Sequence, residues 1–131
     1  IVEELGWQTD ETESLPVELN PQGEKIECFM QGTRDYIKYI KRGYSRVAQV
    51  NAQNVRKGRL EPELVAASND EHDGVKPASL EVFLEYMGLT EEEFNTIVTS
   101  MSVSPYEHDF SAMKDGGALW DMDLWAREDN R

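Results

Sequence analysis

The stretch Arg34–Arg59, RDYIKYIKRGYSRVAQVNAQNVRKGR, decides the fold. Eight of the chain's 13 Lys and Arg lie in it against a single acid, Asp35, so its formal charge is +7. Residues 1–33 carry −7 and residues 60–131 carry −13. A basic band therefore sits inside an acidic chain, and local electrostatics follow that distribution more than the net charge of −13. The band also has a pattern. Tyr36, Ile37, Ile40 and Tyr44 recur at spacings of three and four, which predicts one face of a helix. Lys38, Lys41 and Arg42 share a neighbouring face. Gly43 interrupts, and Ser45 is placed to cap a second helix. In that second run Ala48, Ala52 and Val55 make a narrow apolar stripe, while Arg46, Gln49, Gln53 and Arg56 make a polar one. Lys57 and Gly58 close it: a cation in the last turn meets the helix dipole, and Gly suits the position after the end. The expectation is two helices joined near Gly43, presenting polar and basic side chains along one seam.

Around this band, 131 residues are enough for one domain with a core of modest size, since apolar residues make up 39% and mean hydropathy is −0.63. Ile1 in place of an initiator Met makes a piece of a longer protein the expectation. No apolar run approaches a membrane span and no signal peptide is visible, so the reading is no membrane, and with a single cysteine a reducing, cytoplasmic setting is the default. The lone Cys28 excludes an internal disulfide, and with only His72 and His108 as further soft ligands it gives no zinc site. The acidic total makes nucleic acid an unfavoured partner, although the band leaves a local phosphate contact open.

Taken in order, residues 1–7 read as the end of a helix stopping at Gly6. Residues 8–25, with Pro16, Pro21 and Gly23, read as an extended linker, so that 1–27 forms a linker-like lead into the body. Cys28, Phe29 and Met30 make an apolar patch before the basic helices. Pro62 suits the first turn of a helix running to about Ser68, and residues 69–74, NDEHDG, read as a polar turn. Leu80, Phe83, Leu84 and Met87 form a helical apolar face closed by Gly88. Thr90 with Glu93 has the form of a capping box, and Leu89 with Phe94 fits a hydrophobic staple. Phe94, Ile97, Val98 and Met101 continue as one face. Residues 104–131 show no sustained periodicity and carry Trp120 and Trp125; they read as an irregular tail beyond a helical domain over 1–103. The fold class expected is all-α, with about five or six short helices and no convincing strand.

Candidate chemistry outside the band is thin. No Gly-rich phosphate loop is present, and no Ser/His/Asp or Cys/His arrangement can be argued. His72 in DEHD and His108 in YEHDF read as solvated surface turns. The three glutamates from Glu91 satisfy a helix N-terminus. Eight cations beside one anion repel one another unless something negative lies nearby: the protein's own acids, a partner, or a phosphate-bearing ligand. Lys41, Arg42, Arg46 and Arg56 are the candidate substrate- or phosphate-binding residues, gathered at the junction of the two helices where free backbone N–H groups at the start of the second would also favour an anion.

The stretch DYIKYIKRGYSRVAQVNAQNVRKGRLEPE resembles the C-terminal region of the N-acetyl sugar amidotransferases of lipopolysaccharide biosynthesis. Asp35, Tyr36, Lys38, Tyr39, Lys41, Gly43, Arg46, Arg56, Gly58 and Arg59 stand at matching positions. EELGW at residues 3–7 is similar to a short upstream segment of that family, and LEVFLEYMGLTEEEF at 80–94 to a downstream one. Where the family often carries Asp-His or His-His, this chain has Gln49 and Val50, so a titratable pair is missing there. Tyr44 and Ser45 replace Phe-Gly. The family's ATP-binding PP-loop belongs to an N-terminal α/β domain that this chain lacks. The resemblance implies an ATP- and Mg-dependent enzyme in its full length, which adenylates the acetamido oxygen of a nucleotide-linked N-acetyl sugar. Ammonia from a partner glutaminase then displaces AMP and leaves an acetamidino group. This chain would bind no cofactor by itself, have no catalytic residue, and help hold the nucleotide-sugar or a phosphate. Its partners would be its own N-terminal PP-loop domain and the glutaminase, with a homo-oligomer also open. A second reading is a non-catalytic helical interaction or oligomerisation module; a third is an RNA-contacting domain.

Overall fold

A computed structural model describes residues 2–6, 15–19 and 30–116. Its long element is α2 (Gln31–Arg42), which follows the short α1 (Val2–Leu5) and a 3-10 turn at Val17–Leu19. Then come α3 (Arg46–Arg56), a 3-10 turn at Pro62–Leu64 leading into α4 (Val65–His72), the two-residue strand β1 (Val75–Lys76), α5 (Ser79–Met87) and α6 (Glu91–Thr99). A last 3-10 turn at Phe110–Ala112 precedes β2 (Lys114–Asp115), which pairs in parallel with β1. The fold is all-α. The two strands depart from the expectation of none; two residues each are too few for any alternation to register in a sequence.

Helix α2 is placed by what it buries. Thr33, Tyr36 and Ile40 lie on one strip and are buried. Tyr36 and Ile40 join Leu80 of α5 and Phe94 and Val98 of α6 in the main core, with Ile37, Phe83 and Leu84 packed against them. Burying a side chain such as Ile40, which is fully inaccessible, is worth about 2–3 kcal/mol. The Thr33 and Ser79 hydroxyls meet at 3.0 Å inside this contact, so neither is left unsatisfied. Tyr44, expected on the same face, lies beyond the helix end and is exposed. Gly43 ends α2 in the left-handed conformation, and its N–H returns to the Tyr39 carbonyl at 2.7 Å.

Helix α3 buries Arg46, Val47, Val50 and Asn51 and not the expected stripe of Ala48, Ala52 and Val55; Ala52 is exposed. Val47 and Val50 make a second core with Leu19 and Leu15. Part of the supposed linker 8–25 is therefore a hydrophobic plug. Ser45 occupies the N-cap position, but its side chain does not cap. Its hydroxyl and its N–H both donate to the Asp73 carboxylate, the latter at 2.9 Å.

The expected polar turn at 69–74 is helical to His72. α4 buries no residue of its own. It is held by the Asn51 amide, which donates to Ser68 Oγ at 2.9 Å and Asn69 Oδ1 at 2.8 Å. The end signals expected for α5 and α6 are met, since Gly88 ends the first in a left-handed turn and Thr90 and Glu93 form a complete capping box on the second, but Met87, expected on the α5 apolar face, is exposed. Ile97 and Met101 are exposed, so the α6 apolar face narrows to Phe94 and Val98. Beyond α6 the chain folds back on α2: Val103 N–H donates to the Lys41 carbonyl at 2.8 Å, and Phe110 and Met113 pack on the main core. Cys28, Phe29, Trp120 and Trp125 lie outside the described residues.

Candidate functional site

Seen along their axes, Gln31, Asp35 and Lys38 fall within about 60° of one another on α2, and Arg46, Gln49, Gln53 and Arg56 within about 80° on α3, at about 100° per residue. These two polar strips, with Arg34, wall an open groove of about 570 Å³ whose apolar lining is Val50 and Ala52. Lys38 Nζ donates to Gln49 Oε1 at 2.8 Å across the groove and lies 5.5 Å from the centre of the Tyr44 ring. Arg34 donates to Gln31 Oε1 at 3.4 Å.

The charged pair at the centre is Asp35 and Arg46. Arg46 Nε donates to Asp35 Oδ2 at 2.9 Å, and Gln31 Nε2 donates to Asp35 Oδ1 at 2.9 Å. Arg46 is only 7% exposed. Burial pushes the Asp35 carboxyl above the usual carboxylate range; the hydrogen bond and charge of Arg46 oppose that shift without cancelling it. Arg46 is thus partnered by the protein's own carboxylate, while Arg34 and Arg56 are exposed and Lys38 is half-buried.

Of the four candidates from the sequence, the groove brings together Arg46 and Arg56. Lys41 and Arg42 stand in the last turn of α2 outside it, Arg42 exposed and Lys41 half-buried. The expected anion site at the start of α3 is already supplied with a negative group, because Asp73 accepts the Ser45 N–H there. Sequence reasoning missed Gln31, Arg34, Asp35 and Lys38 as groove residues. The signal was the continuation of the basic strip toward the start of α2.

His108 corrects another expectation. It is half-buried beneath aromatic rings: edge-to-face with Tyr36, Tyr39 and Phe110, the last with ring centres 4.5 Å apart. Its Nδ1 and the Tyr106 hydroxyl are 2.9 Å apart, and its Nε2 is buried without a hydrogen-bond partner among the described residues. Burial lowers its pKa, an effect partly offset by Asp109. His72 is half-buried with Nε2 3.8 Å from Glu71. Among the described residues no three His, Cys, Asp or Glu stand close enough together to hold a metal ion, and no helix is long and apolar enough to cross a membrane.

Residues 24–121 match the family model described as "LPS biosynthesis protein WbpG-like, C-terminal domain". No curated protein and no solved structure matches the chain. The match takes in both walls of the groove, both described cores from α2 onward, and the β1–β2 pair. The chain therefore belongs to the WbpG-like family of lipopolysaccharide-biosynthesis proteins, of which it carries the C-terminal domain.

Proposed function

We propose that the chain is the C-terminal helical portion of an ATP-dependent N-acetyl sugar amidotransferase that makes acetamidino sugars for lipopolysaccharide or O-antigen. Its α2–α3 groove holds the phosphate-bearing part of a nucleotide-linked N-acetyl sugar. The observation that carries this reading is the convergence of Arg34, Lys38, Arg46 and Arg56 with three glutamine amides on one groove inside the family-matched region. Arg presents a planar fork suited to phosphate oxygens and Lys a compact charge. The Gln31, Gln49 and Gln53 amides both donate and accept, as hydroxyls and amides of a sugar require. Lys41 and Arg42, on the next turn of α2, extend the positive field without entering the groove.

In this reaction adenylation of the acetamido oxygen uses ATP and magnesium. Under this reading both belong to the protein's own N-terminal PP-loop domain, and ammonia comes from a glutaminase partner. Titration calorimetry with a UDP-N-acetyl sugar tests the groove. The wild-type chain is expected to bind in a salt-sensitive way, and Lys38→Gln with Arg56→Gln to weaken binding by about tenfold or more. Binding that is absent, or unchanged by both substitutions, overturns the proposal.

One observation favours a second reading, a helical interaction or oligomerisation module. An open apolar cleft of about 450 Å³ runs between the start of α2 and α5, lined by Met30, Ile37, Phe83 and Met87 among others, with Tyr86 on its rim 87% exposed. Sedimentation of wild type against Tyr86→Lys, read for a change in oligomer size, tests it.

A further inference from the structure

We propose that Asp35 is the specificity-determining residue of the α2–α3 groove: it disfavours bare phosphate-like anions and admits a ligand that sets a hydrogen-bond donor, such as a sugar hydroxyl, against its carboxylate. This rests on the reading of the groove as an anion site. Asp35 is the one carboxylate among the described residues that line it, opposite cations and neutral amides. Its two oxygens each accept one bond, from Gln31 and from Arg46. An ionised carboxylate has about four acceptor positions, so about two remain for a ligand. Its side chain is only 17% exposed, which limits how far water can supply those bonds. The raised pKa has the same origin, a carboxylate short of solvation.

A phosphate seated on Lys38 or Arg56 with no donor to offer Asp35 meets only its repulsion. For a dianionic phosphate at about 6 Å in this open groove, with an effective dielectric near the value of about 80 for water, that repulsion is worth about tenfold in affinity. A ligand that also donates to the carboxylate turns the same group into a contact. Asp35 therefore filters by the whole ligand and keeps a groove with several cations from filling with inorganic phosphate.

The experiment is calorimetric titration of the full chain at pH 8 with two dianionic monoesters, methyl phosphate and glucose 1-phosphate. Only the second carries hydroxyls. The wild type is expected to prefer glucose 1-phosphate by about tenfold. Asp35→Asn is expected to raise methyl phosphate affinity by about tenfold and to reduce the preference to about twofold. Circular dichroism verifies the fold of the variant; should it not fold, the wild-type preference decides alone. A wild-type preference below about twofold overturns the proposal, as does a folded Asp35→Asn that keeps the full preference. If neither ester binds in a way that Lys38→Gln and Arg56→Gln weaken, the groove reading falls and this inference with it. If both esters bind and only the Asp35 effect is missing, this inference alone falls.

Discussion

Replacing Asp73 with Ala should be one of the most damaging single changes in the chain, although Asp73 belongs to neither core. The residue is 4% exposed, and its carboxylate accepts from both the hydroxyl and the N–H of Ser45, itself 3% exposed, at the start of α3. Asp73 thus holds the N-cap residue of α3 from outside the helix, as the carboxylate of a capping box does from within. Asp73→Ala leaves a buried hydroxyl and a buried N–H without an acceptor, at about 1–3 kcal/mol each when no water replaces the bond. It also removes a negative charge from the positive end of the helix, at about 0.3–1 kcal/mol. Relief from burying a carboxylate offsets part of this, and the expected net cost is about 3 kcal/mol. For a domain of this length that is about 10 °C in Tm. Ser45→Ala removes the hydroxyl and leaves the N–H bond, so it should cost about 1 kcal/mol. The double variant should be hardly worse than Asp73→Ala, giving a coupling of about 1 kcal/mol. Urea and thermal unfolding of the four proteins measure all three numbers. Sulfate should stabilise Asp73→Ala more than wild type, because an anion can occupy the vacated helix start. A cost below about 0.5 kcal/mol for Asp73→Ala, or strict additivity, would refute the assignment.

Gly43→Ala should cost about 2–4 kcal/mol, because φ there is +77° and a Cβ would stand 2.7 Å from the Tyr106 ring; thermal melting reads it, and a Tm within about 2 °C of wild type counts against it. His108 titrates below its ordinary range in the folded state because it is buried, so the unfolded chain binds more protons and stability falls as pH drops below about 6.5. His108→Gln should flatten that slope in urea midpoints measured from pH 7.5 to 5.5, and an equal slope in both proteins would contradict it. Tyr36, Tyr39 and Tyr106 are all pushed up, chiefly by burial, so the folded state keeps phenolic protons that the unfolded chain releases near pH 10. Stability should therefore fall as pH rises past about 10, with part of the tyrosinate absorbance at about 295 nm appearing only on unfolding.

The elements that were legible in the sequence are those whose stabilising contacts are local. Thr90 and Glu93 are three residues apart and cap α6 by themselves; Leu80, Phe83 and Leu84 share a turn of α5. α4 was legible as far as Ser68, from the start signal at Pro62; its last turn was not, because none of its residues belongs to a core and its hold on the body comes from Asn51, 17 and 18 residues away, which donates to Ser68 and Asn69. The groove was legible in half for the same reason. The strip from Arg46 through Arg56 follows helical spacing, but its partners lie eleven residues upstream across the Gly43 break: Asp35 with Arg46, Lys38 with Gln49. A helical period does not carry across a break between two helices, so periodicity reveals no pairing across Gly43. Reading the band by charge alone therefore selects Lys41 and Arg42, which the fold leaves outside, and counts Arg46 as free when a carboxylate already holds it. Of the eight cations, those left to face a ligand in the groove are Arg34, Lys38 and Arg56. Under the proposed function, three cations, three amides and one carboxylate would recognise less by charge than by the placement of donors and acceptors around it, as a site for a phosphorylated sugar rather than for phosphate itself requires.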